Sequence, residues 1–323
     1  MKILITGGTG FVGLALAEAL LKLGHVPVLF AMTPVAPWFG SRAPFRDVKF
    51  IEGNVCSASD VGAAVEACAP EIVIHLAAMT PDLATEKASP ARITEINVSG
   101  VANLLCVLQN ACNVRRVVIA SSVAIYGPVD PAEGPIEETR LLAPQSLYGI
   151  TKLAAEKMAL RLGDIYGMDI RLARIGPVYG PWEHDTGVRP LLSPQAQVLS
   201  LLKAGKKAVL GREMWGDWLY SRDAGAALAA IALSTRLRHA IYNVGNGHVS
   251  AVATWGTVMA EALHAPGISL AGGGDDANVH FPMKQDRAPL SIARLRQDTD
   301  FIPSFTDTLN DYLTWLEHYP NDF

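Results

Sequence analysis

The feature that most constrains the fold of this chain lies in its first two dozen residues. Lys2-Ile3-Leu4-Ile5-Thr6 is a short apolar run that breaks into Gly7-Gly8-Thr9-Gly10-Phe11-Val12-Gly13. A helical stripe follows, made of Leu14, Ala17, Leu20 and Leu21, and it ends at Gly24. Strand, glycine-rich turn and amphipathic helix, in that order, form the setting that a dinucleotide-binding fingerprint requires. One glycine permits the tight turn, one lets the backbone approach a pyrophosphate, and one lets the helix pack on the strand. The anion then rests on free N–H groups at the positive end of the helix dipole. A plain structural turn is the competing reading, and the flanking strand and helix weigh against it.

Beyond this unit the pattern alternates. Apolar runs at 26–31, 49–52, 72–75, 116–121, 169–173 and 240–244 read as strands. Helical patterns fill 59–68, 91–111, 147–162, 195–204, 222–233, 252–263 and 305–318. Such βα alternation predicts a Rossmann-type doubly wound parallel sheet, an α/β fold. Val117-Val118-Ile119-Ala120 is apolar throughout, as a strand covered on both faces must be. After residue 174 the prolines 177, 181, 190 and 194 interrupt the chain, and Gly272-Gly273-Gly274 marks a later loop. The expected organisation is a dinucleotide-binding domain over 1–175 and a smaller, mainly substrate-binding lobe over 176–323. Segments near 216–245 return to the sheet. A lobe of this kind roofs a ligand held beyond the carboxyl ends of the strands.

Half of the 323 residues are hydrophobic and 18% are charged, which supplies a sizeable core. The net charge of −4 gives no footing for nucleic acid or an anionic membrane. No uninterrupted apolar run nears the ~20 residues of a membrane helix, and no charged leader with a cleavage site precedes the first strand. A cytoplasmic enzyme is expected. Cys56, Cys68, Cys106 and Cys112 form no CxxC pair and read as buried or half-buried fillers. His75, at a strand end, reads as a core or pocket-wall residue, and no metal site is expected.

Tyr148 and Lys152 stand four residues apart in the 147–162 helix, which places them on one face. A phenol is a poor base with a reference pKa near ~10. A neighbouring cation favours the phenolate, so Lys152 is expected to lower it. A tyrosine so tuned exchanges a proton with an alcohol or carbonyl.

These motifs together resemble the extended short-chain dehydrogenase/reductase superfamily, in its NAD-dependent sugar epimerase/dehydratase branch, over nearly the whole chain. Thr6-Gly-Gly-Thr-Gly-Phe-Val-Gly13 resembles the family's cofactor loop, Gly53-Asn54-Val55 its adenine-facing segment, and His75-Leu-Ala-Ala78 its cofactor-lining strand end. Asn97-Val-Ser-Gly100 resembles the central-helix motif, Ser121-Ser122-Val-Ala-Ile-Tyr-Gly127 the strand bearing the catalytic hydroxyl, and Arg174-Ile-Gly-Pro-Val-Tyr-Gly-Pro181 the entry to the substrate lobe. The resemblance implies Ser122, Tyr148 and Lys152 as catalytic residues. It implies Gly7, Gly10, Phe11, Val12, Gly13, Asn54, Val55, Leu76, Ala77, Ala78 and Asn97, with Tyr148 and Lys152, as cofactor-binding residues. Thr80, Ser122, Arg189 and Arg287 are the candidates for substrate contact.

The chain also departs from the family. Strand 26–31 ends without the acidic residue that binds a ribose 2′-hydroxyl, the usual Asp before the adenine segment is Asn54, and no basic residue follows until Arg42. NAD is favoured, with NADP a close alternative. Dehydratases place Asp-Glu after the catalytic hydroxyl, whereas Val123-Ala124 cannot move protons, so water elimination is not expected. Nucleotide-sugar enzymes carry an Asn and an Arg where this chain has Pro177 and Gly216. Arg189, Arg222 or Arg287 would have to compensate, or Arg222 simply pairs at a helix start. Trp215, Trp218 and Tyr220 line a pocket or pack in a core, Glu137-Glu138 sit on a surface loop, and Asp275-Asp276 make a solvated turn.

The expected activity is hydride transfer at a secondary alcohol of a sugar or nucleotide-sugar, as in UDP-glucose 4-epimerase. Alternatives are a dehydrogenase or reductase of a non-nucleotide sugar or sugar acid, and a non-catalytic NAD(P)-sensing protein. The resemblance also implies a homodimer through the helices near 91–111 and 147–162.

Overall fold

The computed structural model describes residues 1–40, 44–187, 189–272, 276–281, 285–304 and 308–319. It begins with β1 (Lys2–Thr6), α1 (Phe11–Lys22), β2 (Val26–Ala31), the single turn α2 (Pro37–Gly40), β3 (Lys49–Glu52), α3 (Ala58–Cys68) and β4 (Ile72–His75). Next come α4 (Leu83–Ala88), α5 (Pro90–Thr94), α6 (Gly100–Leu108), β5 (Arg116–Ser122), α7 (Leu147–Tyr166) and β6 (Ile170–Ile175). Then follow β7 (Val178–Tyr179), α8 (Pro194–Lys203), β8 (Ala208–Leu210), β9 (Trp215–Gly216), β10 (Leu219–Tyr220), α9 (Ser221–Leu233) and β11 (Ile241–Val244). The last elements are β12 (Ser250–Ala251), α10 (Val252–Ala262), β13 (Ile268–Leu270), α11 (Ala293–Asp298) and α12 (Thr308–His318).

Seven of the strands form one parallel sheet in the order β11-β6-β5-β4-β1-β2-β3. The chain winds outward from β1 to β3, returns to β4 beside β1, and then winds the other way. Between β1 and β4 the direction reverses, and such a switch point opens a crevice at the carboxyl ends of the strands. Helices cover both faces, so each central strand needs apolar residues at successive positions. On one face, Leu14 and Leu20 of α1 pack with Ala224, Leu228 and Ile231 of α9. On the other, Val61 of α3, Leu104 and Leu105 of α6, and Ala155 and Ala159 of α7 cover Val117 and Ile119. A third cluster joins Val123, Ile125 and Tyr126 after β5 to Ala288 and Leu290 beside the crevice.

The lobe's own sheets are the two-stranded pairs β7–β10, β9–β12 and β8–β13, too short for a period to announce them. Aromatic packing fastens the lobe to the segment after β2. The ring of Trp182 lies 4.9 Å from Phe45, 5.2 Å from Phe39 and 5.5 Å from Trp315.

Some expectations change. The helix read at 91–111 runs from Pro90 to Leu108 and passes through a π-turn at Glu95–Ser99. That turn carries Asn97, whose amide accepts from Met79 N at 2.8 Å and donates to Met79 O at 3.0 Å. The same Pro90–Leu108 helix is long and apolar enough to cross a membrane, yet its Val101, Leu104, Leu105 and Leu108 stripe packs on the sheet. The helix read at 147–162 continues to Tyr166, where Gly167 turns left-handed at φ 67°. Cys106 and Cys112 are exposed rather than buried, because Cys106 faces away from the α6 stripe and Cys112 lies in the turn after it. Arg42, Gly273, Gly274, Asp275 and residues 305–307 lie outside the described residues.

Candidate active site

The glycine loop takes its shape from what a side chain would strike. Gly7 has φ 66°, and its N–H donates to Phe30 O at 2.8 Å, which draws the loop over the end of β2. A Cβ on Gly13 would sit 2.5 Å from Gly7 O, so α1 starts this close to β1 only without one. Gly10 caps α1 with no side-chain bond, and no acid stands in the first turn. The helix therefore turns its positive end and its first N–H groups toward a cavity of about 1240 Å³. Pockets for a single small ligand span ~300–1,000 Å³, so this cavity has room for a dinucleotide and a second molecule. Gly7, Gly10, Phe11, Val12 and Gly13 line one end, and Asn54, Val55, Leu76, Ala77, Ala78 and Thr80 line the sheet side. Asn54 holds that edge in a turn, with its side chain accepting from Cys56 N at 2.9 Å and its own N–H donating to Asp60 at 2.9 Å.

Beyond the loop, two chain ends converge. β5 finishes at Ser122, whose hydroxyl accepts from Ala124 N at 3.2 Å and starts a tight turn. The start of α7 is fixed by Ser146, which accepts from Gly149 N at 3.1 Å, and by Glu86, which accepts from Leu147 N at 2.8 Å. A Cβ on Gly149 would lie 2.8 Å from Ala124 O, so this glycine is what lets α7 abut the turn after Ser122. Tyr148 is thereby carried to the serine, and its phenol is hydrogen-bonded with the hydroxyls of Ser122 and Thr80.

Electrostatics differ from the sequence expectation. Burial pushes the Tyr148 phenol above its ordinary value, against the pull of the Ser122 and Thr80 hydrogen bonds and the positive charge of Arg189. Burial outweighs any pull from Lys152, whose own ammonium is buried in the wall of the same cavity. Desolvation draws that ammonium down to about 8, opposed by Glu156 one turn along α7.

Asn97 stands one layer behind the cavity wall, 1% exposed, and its amide also donates to Thr151 at 3.1 Å. It fixes Met79 and α7 rather than facing a ligand. His75 is buried, with Nδ1 2.7 Å from the Thr6 hydroxyl and Nε2 without a partner. Burial and the charge of Lys152 bring its pKa down to about 3, so the ring is neutral. Strand alternation sends the Ser121 hydroxyl to the opposite face from Ser122, where it has no partner.

On the lobe side, Arg189 pairs with the buried Glu183 at 3.0 Å, and its guanidinium lies 5.6 Å from the centre of the Phe11 ring. Arg287 reaches Val123 O at 3.4 Å, has an unpartnered Nε, and is lowered by burial. Arg222 is elsewhere, committed to Glu18 at 2.9 Å and to Asp311, so it offers a ligand nothing. Trp218 and Phe281 wall the cavity with rings 5.1 Å apart, Trp215 is 42% exposed, and Tyr220 donates to Asp311. Glu138, read as a surface residue, is 7% exposed because it accepts from Asn243 N at 2.9 Å beneath the loop. Thr9, His184, Asp185 and Thr186 also reach the cavity, and no periodicity or motif marked the last three. Asp276 is exposed. Among the described residues, no three His, Cys, Asp or Glu side chains gather as a metal site.

The NAD dependent epimerase/dehydratase family model matches residues 3–245. GDP-6-deoxy-D-mannose reductase of Pseudomonas aeruginosa is 29% identical over 312 residues, covering 94% of this chain and 93% of that enzyme. The Bordetella bronchiseptica enzyme WbmG, solved in complex with NAD, is 26% identical with a TM-score of 0.76, covering 99% of this chain and 94% of its own. UDP-glucose 4-epimerase of Thermus thermophilus, 24% identical, shares the fold at a TM-score of 0.80 over the full length of both chains.

Proposed function

The chain belongs to the NAD-dependent epimerase/dehydratase family, and on that premise we propose that it transfers hydride at a secondary alcohol of a sugar or nucleotide-sugar. The observation that carries this reading is the meeting of the Tyr148, Ser122 and Thr80 hydroxyls in the cavity that the glycine loop opens and Lys152 also lines. Within that reading, the Gly7–Gly13 loop and the start of α1 hold the pyrophosphate, and Val55, Leu76, Ala77 and Ala78 bed the rest of the dinucleotide. Bound nicotinamide supplies the hydride acceptor and donor. Ser122 and Thr80 fix the substrate oxygen and the phenol in one hydrogen-bonded set. Tyr148 accepts the alcohol proton as the C–H leaves with its electron pair, and returns a proton to the carbonyl oxygen in the reverse step. Its raised pKa keeps the phenol protonated at neutral pH, which suits the carbonyl-reducing half. Lys152, on the next turn of α7, offers a positive charge that favours phenolate in the alcohol-oxidising half. Trp218 and Phe281 close the wall against water.

NAD is the cofactor of this proposal, supported by the NAD complex of the WbmG relative. The cavity edge at Met32 and Thr33 carries no charge that rewards or rejects a 2′-phosphate. Pro177 in the cavity wall and Gly216 in β9 leave a diphosphate two polar partners short, which favours a sugar acid or similar alcohol as the second reading. Val123-Ala124 argues against water elimination. A dinucleotide-binding unit over 1–175 and a lobe over 176–323 remain the proposed division, with β11 in the sheet. A homodimer through the helices near 91–111 and 147–162 is part of this proposal, supported by Ile150 and Ile165, 48% and 56% exposed on α7. A cytoplasmic home suits four free thiols.

Incubating the protein with NAD and a panel of nucleotide sugars and aldonates tests the reading. Epimerisation changes the sugar with no net reduced cofactor, whereas a dehydrogenase accumulates one NADH per ketone. Absence of both sugar conversion and NAD or NADP binding would sink it.

A further inference from the structure

We propose that Arg189, which belongs to the lobe and not to the nucleotide-binding sheet, clamps the pyrophosphate of the dinucleotide against the start of α1. The inference rests on the cofactor reading above and assigns it a residue outside the glycine loop. Three observations fix the place of the guanidinium. It lies 5.6 Å from the ring centre of Phe11, the first residue of α1. Its charge acts on the Tyr148 phenol, at the other end of the path a dinucleotide must follow. It lines the same cavity as Gly7, Gly10 and Gly13. A cation between the helix start and Tyr148 lies where the pyrophosphate joins the glycine loop to the nicotinamide ribose.

The anchor for this cation is built into the lobe. Glu183 is 0% exposed and accepts from Ser193 N at 2.6 Å, from the Ser193 hydroxyl at 2.6 Å and from Arg189 Nη1 at 3.0 Å. Next to it, Trp182 donates to Glu18 of α1 at 2.8 Å, so the segment is tied to the cofactor helix itself. A guanidinium presents five donors in a rigid fork. Glu183 engages one nitrogen and leaves the fork oriented with donors for a phosphate oxygen. The other cations on the cavity wall are placed differently, Lys152 one turn along α7 from Tyr148 and Arg287 against Val123. Among the described residues, Arg189 is the cavity-lining cation that faces α1.

Calorimetry on the ligand-free protein, with NAD, ADP-ribose and adenosine as probes, tests the assignment without turnover. Arg189→Gln keeps a hydrogen bond to Glu183 and removes the charge, while Arg189→Lys keeps the charge and loses the fork. Expected is a roughly ten- to hundredfold weaker dissociation constant for both NAD and ADP-ribose in R189Q, a smaller loss in R189K, and unchanged adenosine binding. Raising the salt concentration should narrow the gap between wild type and R189Q. A folded R189Q protein that binds ADP-ribose as tightly as wild type overturns the clamp, as does an equal loss for adenosine, and both leave the enzyme reading intact. If wild type itself binds neither NAD nor ADP-ribose, the cofactor reading and this inference fall together.

Discussion

Burial acts on Tyr148 and Lys152 in opposite directions, because desolvation penalises the charged form of each: the phenol is pushed up and the ammonium is drawn down to about 8. Removing the phenolic oxygen in Tyr148→Phe should lower turnover by about 10²–10⁴-fold, with NAD affinity by calorimetry changed by only a few-fold. Retention of most activity would remove Tyr148 from the proton transfer. Lys152 makes a stability claim as well. Its pKa is near 8 when folded against the ordinary 10.5, so holding it charged in the fold opposes stability fully below pH 8. That cost fades as pH rises from 8 toward 10.5. Lys152→Met should therefore abolish turnover yet raise the melting temperature of the ligand-free protein at pH 7. The gain should be roughly 2–4 °C per kcal/mol and should shrink as the scan is repeated up to pH 10. A lower melting temperature than wild type at pH 7 would contradict the assignment.

Among the elements, the pairing of α1 with α9 decides how the cofactor helix is held. Gly225 lies inside α9, where alanine is ordinarily better by ~1 kcal/mol on helix propensity. Here a Cβ would sit 2.4 Å from Ala15 O and 2.9 Å from Leu16 N of α1, atoms that cannot swing aside. Overpacking of this kind costs ~1–3 kcal/mol, so the steric term wins over propensity. Gly225→Ala is expected to lower the midpoint of urea unfolding and to weaken NAD binding, since α1 must shift with its N-terminus. An unchanged midpoint would mean that the two helices separate freely. At α7, by contrast, the sequence spacing told most of the story. Tyr148 and Lys152 share a face by their i, i+4 separation, whereas the approach of α7 to Ser122 depended on Gly149 meeting Ala124, a contact between segments that no local pattern encodes.

Across the whole molecule, a buried polar network ties β6 and β11 of the sheet, with α7, to the loop after β5. Arg174 at the end of β6 makes two bonds to Glu156 of α7, at 3.0 and 2.9 Å, and donates to Tyr126 at 2.8 Å and to Glu138 O at 2.9 Å. Glu138 accepts from Asn243 N of β11, and Tyr126 donates to the Asn243 side chain at 2.7 Å. Both partners of the Arg174–Glu156 pair are 2% exposed. Removing one leaves an uncompensated buried charge, a loss of ~3–5 kcal/mol, whereas replacing both with apolar residues is often near neutral. Arg174→Met should thus be strongly destabilised in chemical denaturation, and Glu156→Leu combined with Arg174→Met should recover most of the loss. Equal destabilisation of the single and double variants would show that the bonds to Tyr126 and Glu138 O dominate.

Local order along the chain was enough to determine the strand–glycine–helix entry, the alternation that makes a parallel sheet, and the Tyr148/Lys152 pair, because each depends on spacing within a single element. Tertiary structure alone decided that Arg222 is spent on Glu18 and Asp311, that Glu138 is buried under Asn243, and that Arg189 and His184 reach over the cavity from a proline-interrupted segment. It also reversed the sign expected for Tyr148. Burial and ion pairing are set by residues distant in the chain, and for Tyr148 desolvation is the largest cause of the shift, ahead of any charge.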